Sequence, residues 1–75
     1  MTVSLKLYAD LARFAPPDAA AYPVAPGQTV AGIMAALGLP QDRPVSIVLN
    51  GRAARPGDPV TDGDRLAFVP PVSGG

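Results

Sequence analysis

The stretch TVAGIMAALGLP, Thr29 to Pro40, carries the clearest helical pattern in this chain. Thr29 is a suitable N-cap. Val30, Ile33, Met34 and Leu37 then fall at i, i+3, i+4 and i+7, on one face. Gly38 supplies a left-handed C-terminal stop, with Pro40 just beyond. A helix this short does not hold by itself in water, so its apolar stripe must lie on something. Gly32 in its middle costs about 1 kcal/mol against alanine, and close packing is one reason to keep it.

What flanks the helix reads as strand. VSLKLY, Val3 to Tyr8, alternates, with Val3, Leu5 and Leu7 on one face and Ser4, Lys6 and Tyr8 on the other. Asp10 is placed to cap a single helical turn that tucks Leu11 and Phe14 inward, and Pro16 and Pro17 stop that turn from growing. Ala21 to Val24 fits a short strand that Pro23 confines to a sheet edge. After the helix, Val45, Ile47 and Leu49 face inward from another strand. Asn50-Gly51 is the strongest hairpin signal in the chain and turns the backbone into a short strand at Arg52 to Ala54. Pro56-Gly57 and Asp62-Gly63 mark two more turns, with Val60 the strongly apolar residue between them. The last strand runs from Arg65 to Val69, with Leu66 and Phe68 pointing to the core.

The order is strand, strand, helix, strand, short strand, strand. Laying the helix over a single mixed sheet buries both apolar faces. The expected fold is therefore α+β, a β-grasp (ubiquitin-like) roll over residues 1–69, with a flexible C-terminal Gly-Gly tail over 70–75.

Composition narrows the function. Seventy-five residues make one small domain, able to bury only ~60–65% of the surface of its unfolded chain. Six basic and six acidic residues cancel, which gives no electrostatic footprint for nucleic acid. The chain has no cysteine and no histidine, so it brings no thiol nucleophile, no thiolate metal site and no imidazole base. MTVSLKLYAD alternates where a signal peptide would run apolar, and no apolar run has spanning length; a cytoplasmic location is the expectation. Asp58, Asp62 and Asp64 lack the ligand order of an EF-hand and read as turn residues, and Ser73 has no base to make it a nucleophile.

The end of the chain is more specific. DGDRLAFVPPVSGG, Asp62 to Gly75, resembles the C-terminus of the MoaD family, the sulfur-carrying small subunits of molybdopterin synthase. VSLKLYADLARFAP and TVAGIMAAL resemble that family's first strand and its helix. The segment from Ala15 to Pro26 departs from the family in its wealth of proline and alanine, as does the absence of Glu. The related ThiS carriers of thiazole synthesis share the fold and the Gly-Gly, and the Pro70-Pro71 pair favours MoaD.

The resemblance implies a chemistry. A MoeB- or ThiF-like adenylyltransferase, using ATP, would activate Gly75. A sulfur donor such as a cysteine desulfurase or rhodanese would then turn it into a thiocarboxylate. The tail Pro70, Pro71, Val72, Ser73, Gly74 and Gly75 would enter a MoaE-like large subunit, in a heterotetramer, and give its sulfur to a pterin precursor. On this reading the chain binds no cofactor and has no catalytic groups of its own. Thiazole, a cysteine precursor or tRNA are other acceptors for such a carrier, and a ubiquitin-like modifier linked to target lysines is a further possibility, as is a plain interaction module.

The residues suit that role. A terminal carboxylate is an anion at neutral pH and a poor electrophile, so it must be activated before sulfur can replace oxygen. Gly74 and Gly75 lack Cβ atoms and pass a narrow channel, while the two prolines hold the base of the tail extended. From Pro70 onward the tail reaches about 20 Å. Alternation also sets Val48, Ala67 and Val69 on the sheet face away from the helix, beside Ser4, Lys6 and Arg65; Val48, Ala67, Val69, Lys6 and Arg65 form a candidate docking patch.

Overall fold

The computed structural model describes residues 1–40 and 44–70. Five strands form one sheet: β1 (Thr2–Leu7), β2 (Tyr22–Pro23), β3 (Ser46–Leu49), β4 (Arg52–Ala54) and β5 (Arg65–Val69). Among the described residues a single α-helix, α1 (Val30–Leu37), joins β2 to β3. The strand order is β2-β1-β5-β3-β4, with β1 and β5 parallel at the centre and every other pair antiparallel. This is the β-grasp arrangement.

The pleat dictates the core. Val3 and Leu5 of β1, Ile47 of β3, and Leu66 and Phe68 of β5 are buried together with Val30 and Ile33 of α1. Register puts them side by side: Leu5 lies opposite Leu66, and Phe68 opposite both Leu7 and Ile47. Val45 and Leu49, expected inward with Ile47, are half-buried against this core. Leu11, Val24, Leu39 and Val60 complete it from the connecting segments.

The caps of α1 are the expected ones. Thr29 Oγ1 accepts the Gly32 N–H at 3.3 Å, and Gly38 takes φ 75°. Gly38 N–H donates to Ala35 O and Leu39 N–H to Met34 O, both at 3.1 Å, which is a Schellman closure. That closure swings Leu39 into the core, a position the heptad-like spacing stops short of. Two more donors of the first turn are met from far along the chain: Val30 N–H by Asp58 O at 3.0 Å and Ala31 N–H by Pro56 O at 2.7 Å. The segment around Val60 thus closes the helix start as well as filling the core. Close packing does not explain Gly32, which is exposed. A Cβ there would meet only the Gln28 side chain and Thr29 Oγ1, at 3.6–3.7 Å.

Other details differ from the sequence reading. β1 starts at Thr2 and gives up Tyr8, although the Tyr8 N–H still donates to Phe68 O at 3.1 Å. The turn after it is a 3-10 helix, Ala9–Phe14, that begins before Asp10, so Asp10 lies in its first turn and is not its cap. Leu11 is buried and Phe14 half-buried, as that turn requires. A second 3-10 turn, Ala19–Ala21, takes the first residue of the expected edge strand and leaves β2 only two residues long. Pro23 sits on the outer strand of the sheet, where its missing N–H costs no ladder bond.

Candidate functional site

The sheet face opposite the core is built by the residues that alternate with it. On β1, β5, β3 and β4 a continuous cross-strand row runs Lys6, Ala67, Val48, Ala53. One pair toward the hairpin lie Ser4 and Arg65; one pair the other way, Val69 faces Ser46. The core claims Leu5, Leu66, Phe68 and Ile47, so the pleat can only send these alternating side chains outward.

An open groove of about 550 Å³ runs over this face. Of the five patch residues named from the sequence, Lys6, Val48, Arg65 and Ala67 line it together, and Ser4 lies with them. Val69 is on the same face, half-buried, but outside the groove. Ala19 and Ala20 of the second 3-10 turn add a wall that the sequence reading did not place there. Their position depends on tertiary packing of a Pro- and Ala-rich segment against β1, and no local pattern signals it. Lys6 and Arg65 are the charged residues of the lining, and no carboxylate accompanies them. The groove is therefore apolar with a cationic rim, suited to an apolar surface that carries acidic groups.

Three carboxylates stitch loops together. Asp58 accepts the Arg55 N–H at 3.0 Å and Asp62 the Thr2 N–H at 2.8 Å. Asp64 accepts from Asn50 Nδ2 at 2.9 Å, from the Thr61 N–H at 2.8 Å and from Thr61 Oγ1 at 3.2 Å. The Asn50 amide, followed by the Thr61 N–H, holds the Asp64 carboxyl below its ordinary range, while partial desolvation opposes them. This is turn chemistry, as read from the sequence. Among the described residues, no three acidic, histidine or cysteine side chains are grouped to hold a metal ion. No helix among them is long and apolar enough to cross a membrane.

The last described strand, β5, is the centre of the sheet. β5 ends at Val69, hydrogen-bonded on both sides, and half-buried Pro70 follows directly. Pro71, Val72, Ser73, Gly74 and Gly75, the other residues named for the tail, lie outside the described residues.

Comparison with known proteins gives a consistent outcome. A model described as the ThiS family matches residues 5–75. The crystal structure of SAMP1 from Haloferax volcanii is 32% identical, with a TM-score of 0.74, and the match covers all of both chains. A second crystal structure, of the small archaeal modifier protein 1 of H. volcanii, is 30% identical at a TM-score of 0.71, covering 93% of this chain and 97% of that one. A Pyrococcus furiosus protein named for subunit 1 of the molybdopterin converting factor shares the fold at a TM-score of 0.75, with 22% identity over 96% of this chain and 99% of its own. No curated protein matches significantly by sequence.

Proposed function

The chain belongs to the ThiS family of ubiquitin-fold carriers and modifiers, and on that premise we propose that it is a sulfur carrier of the molybdopterin synthase type, working through Gly75. The match of the family model as far as residue 75, on a chain with neither cysteine nor histidine, carries the proposal.

In this reading the Gly75 carboxylate attacks the α-phosphate of ATP inside a MoeB- or ThiF-like enzyme, and pyrophosphate leaves. A sulfur donor then displaces AMP to form the thiocarboxylate, whose sulfur is a better nucleophile than the oxygen it replaces. The activating site must keep water from the adenylate. Side chains are absent from Gly74 and Gly75, so they suit a narrow passage. Docking is assigned to the outer face, where Val48 and Ala67 meet an apolar surface and Lys6 and Arg65 meet acidic groups. A MoaE-like large subunit would then receive the tail and supply the acid–base groups for transfer to a pterin precursor.

A second reading is favoured by the two H. volcanii structures, one of which is named as a small archaeal modifier protein. There the activated Gly75 is attacked by a lysine amine of a target protein and forms an isopeptide bond. Mass spectrometry of the protein from its native cells separates the two. Sulfur in place of oxygen on Gly75 supports the carrier, and lysine-linked adducts support the modifier. An unaltered carboxylate under every growth condition refutes both. A variant with one alanine appended after Gly75 should lose the thiocarboxylate; a cell that keeps normal molybdenum cofactor with the extension intact would overturn the carrier reading.

A further inference from the structure

Asn50-Gly51 turns the β3–β4 hairpin, with φ of 54° and 83° at the two residues. Asn-Gly is also the dipeptide whose chain most readily attacks itself, because Gly51 has no side chain to shield its nitrogen. In this fold the pair is locked. Asn50 Oδ1 accepts the Arg65 N–H at 2.8 Å, and Asn50 Nδ2 donates to Asp64 Oδ1 at 2.9 Å. The Asn50 N–H donates to Arg65 O at 2.8 Å. All three bonds draw residue 50 toward the start of β5, and both side-chain bonds must break before its amide carbon can swing to Gly51 N.

We propose that Asn50 is a latent deamidation site, held closed by Asp64 and the Arg65 backbone and reacting only when the hairpin tip is released. In the released state Gly51 N loses its proton and bonds to Asn50 Cγ, and the bond from Cγ to Nδ2 breaks, expelling ammonia. Water then opens the cyclic imide at either carbonyl, giving aspartate or isoaspartate at position 50. The product does not return to the lock. A carboxylate has no proton to donate to Asp64 and faces it as a like charge. Isoaspartate also adds a backbone atom to a turn whose register depends on having two residues.

The position gives the modification a consequence, which rests on the docking face assigned above. Gly51 and Arg65 line the end of the groove. Deamidation adds a negative charge next to Gly51 and loosens the hairpin that places Gly51 and Arg65 at the groove, so an aged chain would dock less well. The modification itself is tested without any partner.

Asn50 is the only asparagine in the chain, and the amides of Gln28 and Gln41 close the larger imide ring far more slowly, so the early mass gain of amide-to-acid conversion reports on Asn50. The intact chain is held at mildly alkaline pH, native or unfolded in guanidinium chloride, and followed by intact mass and ion exchange. The native chain should react at least ~10-fold more slowly than the unfolded one, since only the fraction with the tip open is reactive. Asp64→Ala should speed the native reaction with far-ultraviolet circular dichroism unchanged. Asp64→Ser, which keeps a turn-forming acceptor too short to reach Asn50, provides the same comparison if the alanine variant fails to fold. Equal rates in native and unfolded wild type, or no acceleration in a folded Asp64 variant, would overturn the proposal.

Discussion

Replacing Asp64 by alanine should destabilise the fold at neutral pH, by an amount that shrinks in acid. The carboxylate accepts three hydrogen bonds, one from Asn50 Nδ2 and two from Thr61. Through Asn50 it also steadies the hairpin, because the same amide accepts the Arg65 N–H. Bonds to a charged acceptor contribute ~1.5–3 kcal/mol each when buried, but these donors are reached by solvent and regain water when released. The expected loss is therefore about 1–2 kcal/mol in total. Its pH dependence follows from the direction of the shift. Asp64 titrates lower in the fold than its ordinary 3.8, so the folded state binds its proton less readily than the unfolded state does. Its stabilisation is complete above that value and is lost as pH falls through the lower, folded one. Urea unfolding of wild type and Asp64→Ala from pH 7 downward measures the gap. A gap as wide at the acid end as at neutrality would refute the electrostatic reasoning and leave only a change of turn shape.

Three other substitutions probe the fold and the face. Gly32→Ala should stabilise by about 1 kcal/mol and raise the melting temperature by ~4–8 °C, since the helix gains propensity and the new methyl meets only ordinary contacts; calorimetry showing a drop would mean the site is tighter than the distances imply. Phe68→Ala removes the largest fully buried side chain, and a cost of ~3–5 kcal/mol is a large part of what a domain this size has. A cooperative melt close to wild type would show that the core does not centre on β5. Val48→Asp puts a charge in the middle of the outer row and should weaken binding to the adenylyltransferase proposed above at least ~10-fold with little change in melting temperature; unchanged affinity in calorimetric titration would remove the docking role proposed for this face.

How much was legible followed how local the rules are. Thr29 and Gly38 set the helix ends, and Asn50-Gly51 set the hairpin, because caps and two-residue turns act over a few neighbouring bonds. β4 and β5 came with their bounds, since alternation and turn residues mark both ends. Leu39 escaped a reading based on helical period, although the Schellman pairing of Leu39 with Met34 would have flagged it. The carbonyls of Pro56 and Asp58 that close the start of α1 lie more than twenty residues from it, beyond any local pattern. Ala19 and Ala20 at the groove belong to the same class, because alanine says little about which surface it will cover. All five residues set outward from the sequence lie on that face, four of them at the groove, because period-2 alternation, once the inward set is known, leaves no freedom in the outward one.

The placement of β5 has a mechanical side. A pull along the axis of β5 loads a strand bonded to β1 on one flank and β3 on the other. Both ladders are then loaded in shear, so their bonds resist together, whereas an outer strand under a peeling load would surrender them one by one. A load taken by the central strand is thereby shared across the sheet rather than carried by one seam.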